Sequence, residues 1–427
     1  MRLASLLALI AAVASAQPRY TTRECSRTPG GRSTRGIPCE TGTFFEFAPA
    51  SGAGMSVACA GTVPTSVSGT AGTFTRASAA ECSKAGLAST GIANGDLVLL
   101  TTDQPRVEPS GGVLGLRHEE ARTNSIIRSN EFENAAWLTL GTGVAAPTVT
   151  ANYGTSPRGT ATADRVQLAA ATGTNQSLVY QPSNCGTGAN KALSVYVRSL
   201  SGSGTTALCV NTGTVVCGSC SFVDTSWSRC EFTANVTSNG TWIFGNNSVI
   251  TGATYPAYDL LVWGAQCETG TYSTSFIETT SASASRAVEP GITYTTPDIG
   301  PTFCAAASIE SLSADVAVAN VANGTNADAG ATWSLFRQSN TEAGFSIDGT
   351  ITQPTVSAMG TAVNRLWLSD TTAAQAAKFN AADVSAPANT LDGGVTTIRI
   401  GAGVPAVPAN GIVSRVQVDP DPTRCTP

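Results

Sequence analysis

Tyr258-Asp259-Leu260-Leu261-Val262-Trp263 runs directly into Gly264-Ala265-Gln266-Cys267-Glu268-Thr269-Gly270, and the first half of this stretch reads as a buried β-strand. Outward from it the same signature recurs. Ala192-Leu193-Ser194-Val195-Tyr196-Val197-Arg198 roughly alternates apolar and polar residues with period two, as a half-buried strand does. Trp227-Ser228-Arg229-Cys230-Glu231-Phe232-Thr233 follows the same pattern, and Trp242-Ile243-Phe244 is a short apolar run. Turn signals separate them at short intervals: Ser201-Gly202, Asn211-Thr212-Gly213 and Ser238-Asn239-Gly240. Short strands spaced in this way predict a sandwich or jelly roll.

Composition points the same way. Charged residues are 12% and aromatics 6% of the 427-residue chain, which disfavours long helices and suits short strands joined by small-residue turns. A hydrophobic content of 42% is enough to build cores. The length allows two or three domains.

A second motif lies upstream. Gly115-Leu116-Arg117-His118-Glu119-Glu120-Ala121-Arg122-Thr123-Asn124 leads on to Asn130-Glu131-Phe132-Glu133-Asn134-Ala135-Ala136-Trp137. After the closing stretch come Thr274-Ser275-Phe276-Ile277 and Ser285-Arg286-Ala287. Together these resemble the opening and closing motifs of the jelly-roll modules, of the carbohydrate-binding-module type, found in phage head-spike and tail-fibre proteins and in bacterial surface proteins. Thr73-Phe74-Thr75-Arg76-Ala77-Ser78, followed by Gln104-Pro105-Arg106-Val107, matches the lead-in of that family in the right order. Ser156-Pro157-Arg158-Gly159-Thr160 and Thr162-Ala163-Asp164-Arg165 resemble a further segment, with Arg158 where the family carries an acidic residue, and this weakens a metal role for that loop. The resemblance spans residues 65–290. It implies Glu120, Arg122, Asn124, Trp137, Trp263 and Glu268 as a fold signature, and a binding or structural particle rather than a catalyst.

The first residues read as a secretory signal, 1–16: Arg2 is the basic residue, Leu3 to Val13 the apolar segment, and Ala14-Ser15-Ala16 a small-residue cleavage site. An apolar run of about 11 residues is far short of the ~20 needed to span a bilayer. Secretion, outside the cell or at its surface, is therefore the expectation, with no membrane span. Without Arg2 the balance is 23 basic to 29 acidic residues, which gives no general attraction for nucleic acid. All 12 cysteines follow the signal, and in an exported chain they read as disulfides. Their grouping suggests bridges within modules: Cys25 with Cys39, Cys59 with Cys82, and Cys304 with Cys425. The six cysteines from Cys185 to Cys267 allow 15 pairings, which the sequence leaves open. Cys217-Gly218-Ser219-Cys220 has redox or zinc spacing, but with one histidine in the chain a structural disulfide is the stronger reading.

The expected organisation is a cysteine-containing leader with a strand lead-in over 17–115, a jelly-roll module over 116–289, and a final block over 302–427. The leader carries Arg19, Arg23, Arg27, Arg32 and Arg35, read as a solvated segment rather than a basic arm. Pro290 to Pro301 reads as a linker. The final block ends in Thr397-Ile398-Arg399-Ile400-Gly401 and Ile412-Val413-Ser414-Arg415-Val416-Gln417-Val418, a pattern that resembles a laminin-G or concanavalin-like sandwich. The fold class is thus all-β, with two antiparallel sandwiches behind a disulfide-tied N-terminal segment.

No residue constellation names a reaction. His118 is the only histidine and reads as a non-catalytic strand residue, and HExxH, GxSxG and P-loop patterns are absent. Glu119, Glu120, Glu131, Glu133, Glu268 and Glu278 leave a carboxylate-pair glycosidase as an alternative, but arginine-paired carboxylates fastening strands explain them without catalysis. Asp164 and Asp259 serve equally as loop anchors or as ligands for calcium, the one cofactor considered, and no ligand spacing decides between these. Binding is better supported. Tyr153 and Tyr255 lie in turn-rich stretches and, with Trp242, are the candidate ligand-binding aromatics, whereas Trp137 and Trp263 read as core. The expected partner is a glycan or cell-surface polymer. A fibre or surface-assembly protein, as a homo-oligomer, is the alternative.

Overall fold

The structure is a computed structural model that describes residues 45–47, 58–63, 71–86, 91–110, 113–182, 184–238, 240–289, 291–296, 303–311, 319–325, 332–339, 342–347, 350–352, 363–371, 374–380, 382–384, 386–387, 396–400, 411–419 and 425. The expected signal segment, the arginines of the leader, Cys25 and Cys39 lie outside the described residues. What is described is all-β and is built from antiparallel sheets.

Residues 138–269 form an inner sandwich of two five-stranded antiparallel sheets. One sheet runs, in spatial order, Ser228–Val236, Ala189–Ser199, Tyr258–Thr269, Ala163–Leu168, Thr148–Gly154. The other runs Val215–Phe222, Gly204–Asn211, Thr241–Asn247, Gln176–Gln181, Leu138–Thr142. Their inner faces bury Val166, Leu193, Val195, Val197, Leu208, Val210, Trp242 and Phe244 in one core, as the period-two pattern requires.

The strand Tyr258–Thr269 breaks that alternation because it is covered on both faces. Leu260 and Val262 point into the inner core. Leu261 and Trp263 lie on the other face, in a second cluster with Tyr196, Trp227 and Phe276 under Ile92 and Leu97. Ile92 and Leu97 come from the segment that includes the hairpin Ala80–Ser83/Leu97–Leu100, so residues of the lead-in roof this sheet. Gly264 sits at a register shift opposite Val195, with φ +71°, where a β-bulge is most easily made by glycine.

A second sandwich draws its strands from both sides of the inner one. Its eight-stranded sheet pairs Phe303–Ser311 and Gly411–Asp419 with one another, and Gly411–Asp419 in turn with Val113–His118, which pairs with Val107–Ser110. The facing seven-stranded sheet places Ile292–Thr295 between Gly72–Thr73 and Thr397–Ile400. Phe74 and Leu116 are buried in the same core as Ile292, Phe303, Trp333, Phe345 and Val416. Strands before the inner sandwich therefore complete sheets made mostly of strands after it.

Disulfides join Cys59 to Cys82, Cys185 to Cys267, Cys209 to Cys217, Cys220 to Cys230 and Cys304 to Cys425. The two cysteines of the CxxC segment thus belong to separate bridges. Among the described residues no cysteine is free.

Candidate functional site

The two signature motifs meet where the sandwiches join. Strand Arg122–Asn124 pairs with Ala284–Arg286. Asn124 is buried and acts as a clamp: its Nδ2 donates to the carbonyls of Ala265 (3.1 Å) and Ile277 (2.8 Å), and its Oδ1 accepts from the N–H groups of Ile126 and Cys267. Glu120 accepts from Arg122 and from the Tyr272 hydroxyl. A methyl group at Gly270 would stand 1.7 Å from Arg122 Nη1, which explains the glycine of the closing motif. Glu268 is buried and accepts from the Thr274 N–H (2.7 Å) and hydroxyl. Its burial raises its pKa, with Arg286 opposing.

Beside the clamp lies a buried ionic network. Glu119 receives Arg106 at 2.8 Å, Arg286 at 2.9 Å, and Arg117. Glu289 receives Arg76 at 3.0 Å and Arg106 at 2.8 Å. Burial alone would raise the pKa of Glu119, but its arginines hold it well below the usual carboxylate range. His118, next in the chain, is buried, and neither ring nitrogen has a hydrogen-bond partner among the described residues. Burial, then Arg106 and Arg117, push its pKa down to about 3, so the ring is neutral. The neutral ring keeps one N–H proton, but buried and without a hydrogen-bond partner among the described residues it has no group beside it to exchange that proton with.

The other acidic residues are similarly engaged. Arg128 holds Glu131 at 3.1 Å, and Arg158 bridges Glu81 at 2.6 Å to Glu278. Asp164 accepts from the N–H groups of Phe132 (2.7 Å) and Asn152 (2.8 Å) and hydrogen-bonds Glu133; burial raises its pKa to about 7. A carboxyl pair in direct contact is too close to flank a glycosidic bond, which needs roughly 5 to 9.5 Å between the groups. Among the described residues no group of three or more His, Cys, Asp or Glu side chains comes together as a metal site.

The three candidate aromatics fall in three different environments. Trp242 is fully buried, its ring centroid 5.2 Å from that of Trp137 and 6.4 Å from that of Phe132. It is a core residue. Tyr255 is 7% exposed; its hydroxyl donates to Thr251 Oγ1 (3.0 Å), and its ring lines a groove of about 470 Å³ between residues 215–219 and Ile250, Thr251 and Ala253. Tyr153 is 51% exposed. Trp137 and Trp263 are both buried.

Local geometry explains the exposure of Tyr153. It lies on the edge strand Thr148–Gly154, where the register against Ala163–Leu168 shifts. Asn152 takes a left-handed φ of +50° there, and Asp164 binds its N–H. A bulge of this kind re-aims a side chain. The guanidinium of Arg165 stands 4.8 Å from the Tyr153 ring centroid and donates to Asp259 Oδ1 at 2.7 Å. Asp259 is therefore an anchor for Arg165, and Asp164 one for the bulge. Gln167 and Thr150 lie on the two strands beside this group, Thr150 exposed. The result is a fixed aromatic face flanked by polar side chains on the inner sandwich. The sequence offered Tyr153 but not its partners, because Arg165 and Asp259 come from strands far apart in the chain.

No family model matches the chain, and no curated protein matches it. Solved structures similar to parts of it include the CBM40 of Ruminococcus gnavus IT-sialidase bound to alpha2,3 sialyllactose, at 16% identity over 29% of this chain and 77% of that one, TM-score 0.25. Domains LG4-5 of the mouse laminin alpha1 chain align at 11% identity over 65% and 92%, TM-score 0.23. The CBM22-1-CBM22-2 tandem of Paenibacillus barcinonensis Xyn10C aligns at 11% identity over 69% and 97%, TM-score 0.25. None of these scores carries a residue assignment to this chain.

Proposed function

We propose that this is an exported, non-catalytic binding protein that recognises a carbohydrate of a cell surface or extracellular polymer through the face around Tyr153. The exposed ring of Tyr153, steadied by Arg165 and Asp259, is the observation that carries this reading. A rigid aromatic offers apolar area to the C–H face of a sugar with little loss of side-chain entropy. Arg165 and Gln167 supply hydrogen bonds to hydroxyl groups beside it.

The test is a glycan-array screen of the oxidised protein, run with calcium and with chelator. Selective binding that falls at least tenfold in Tyr153→Ala, with an unchanged melting temperature, is the expected result. A loss only in chelator would add calcium to the site. Folded protein that binds nothing overturns the reading in favour of assembly. One observation favours that second reading: Leu138, Leu140, Val216, Val249 and Ile250 are exposed on or beside the other sheet of the inner sandwich. If they bury one another between copies, sedimentation velocity will show a concentration-dependent oligomer.

A further inference from the structure

Asn175, Asn235, Asn239, Asn246 and Asn323 each head an Asn-x-Ser/Thr triplet, and the fold treats them differently. Asn246 is fully buried on strand Thr241–Asn247. Its Nδ2 donates to the carbonyls of Ala169 (2.8 Å) and Pro256 (3.0 Å), and its Oδ1 accepts from Thr206 Oγ1 (2.9 Å). Both amide hydrogens are used inside the sandwich, so a sugar on that nitrogen is incompatible with the fold. Asn175 is half-buried in the connection that crosses from one sheet of the inner sandwich to the other, its carboxamide packed against Gly143.

Asn235 is the opposite case. It is exposed, on Ser228–Val236, an edge strand of its sheet. Its neighbours Ala234 and Val236 face the core, so alternation turns Asn235 outward. Among the described residues its carboxamide makes no hydrogen bond. Thr237, which completes the triplet, is exposed as well.

We propose that Asn235 carries an N-linked glycan, an inference that rests on the reading of the chain as exported. The co-reactant is a lipid-linked oligosaccharyl diphosphate. The Asn235 carboxamide nitrogen bonds to the anomeric carbon and loses one proton; the bond from that carbon to the diphosphate breaks, and the lipid diphosphate leaves with the electron pair. The position is useful physically. An edge strand presents unpaired N–H and C=O groups to other chains, and a bulky hydrated glycan at its end blocks edge-to-edge pairing. Strand Thr148–Gly154, which carries Tyr153, is the opposite edge of the same sheet, so the glycan leaves the binding face open.

The test is to secrete the full chain from a eukaryotic cell and map glycopeptides by mass spectrometry before and after peptide-N-glycosidase. Expected are a glycan on Asn235 in most molecules, none on Asn246, and loss of the Asn235 glycan in Thr237→Ala, which keeps the asparagine. A secreted, disulfide-bonded protein with bare Asn235, or with a glycan on Asn246, overturns the proposal alone. A chain retained in the cytosol overturns the export reading together with it.

Discussion

A single buried carboxylate, Glu119, holds the guanidinium groups of Arg106, Arg117 and Arg286. Removing one partner of a buried ion pair leaves uncompensated charge and costs about 3–5 kcal/mol. Glu119→Gln should lower stability by that order, read as a shift of the urea midpoint. Trp242→Ala should cost a similar ~3–5 kcal/mol, through the cavity it leaves in the core. Tyr153→Ala, by contrast, should leave the melting temperature unchanged. His118 sets a pH dependence. Its folded pKa, about 3, lies below the ordinary 6.5, so the neutral ring contributes stability that is present above pH 6.5 and lost as pH falls toward 3. At about 1.4 kcal/mol per unit this amounts to roughly 4 to 5 kcal/mol. Burial raises the pKa of Glu81, Glu108 and Glu268, which acts in the opposite sense. The test is therefore a difference: His118→Gln should flatten the stability profile between pH 6.5 and 4 relative to the parent, and an unchanged slope would refute the assignment. Nothing in Trp242-Ile243-Phe244 distinguishes a core tryptophan from a ligand platform, because Ile243 on the other face is nearly covered too.

Strands were legible wherever one face is wet and the other dry. Ser228–Val236 follows from alternation alone; Ala189–Ser199 alternates in residue type as well, although both of its faces are covered, Ser194 and Tyr196 included. The lead-in hairpin was harder to read, because its role is to cover Leu261 and Trp263, and that cover is a contact between distant segments. Gly264 and Gly270 in the closing stretch now have physical causes. Gly270→Ala would place a methyl group against Arg122 at a φ of +147°, and it should destabilise by about 1–3 kcal/mol or more. Differential scanning calorimetry on that variant checks it; a neutral result would mean that Arg122 swings aside freely.

Across the whole molecule, the all-β class and its sandwich architecture follow from composition and turn spacing, while the sharing of strands between distant segments does not. Nothing in Val113-Leu114-Gly115-Leu116-Arg117-His118 states that its second strand partner, Gly411–Asp419, lies beyond residue 300. Residues 290–427 produced alone lack Val107–Ser110, Val113–His118 and Gly72–Thr73, and also Phe74 and Leu116 from the core. That fragment should show no cooperative thermal transition even with Cys304 bound to Cys425; a sharp transition would show that the borrowed strands are dispensable. The pairing of His118 with Gly411 also sets a clock. With chains growing at about 5–20 residues per second, roughly 300 residues pass between the two, a wait of about 15 to 60 s. For about the second half of that interval the inner sandwich has every strand it needs, while the earlier strands wait with open edges for partners still unmade. Maturation therefore proceeds from the middle outward, and the moment of greatest exposure to misassembly comes just before the last strand is delivered.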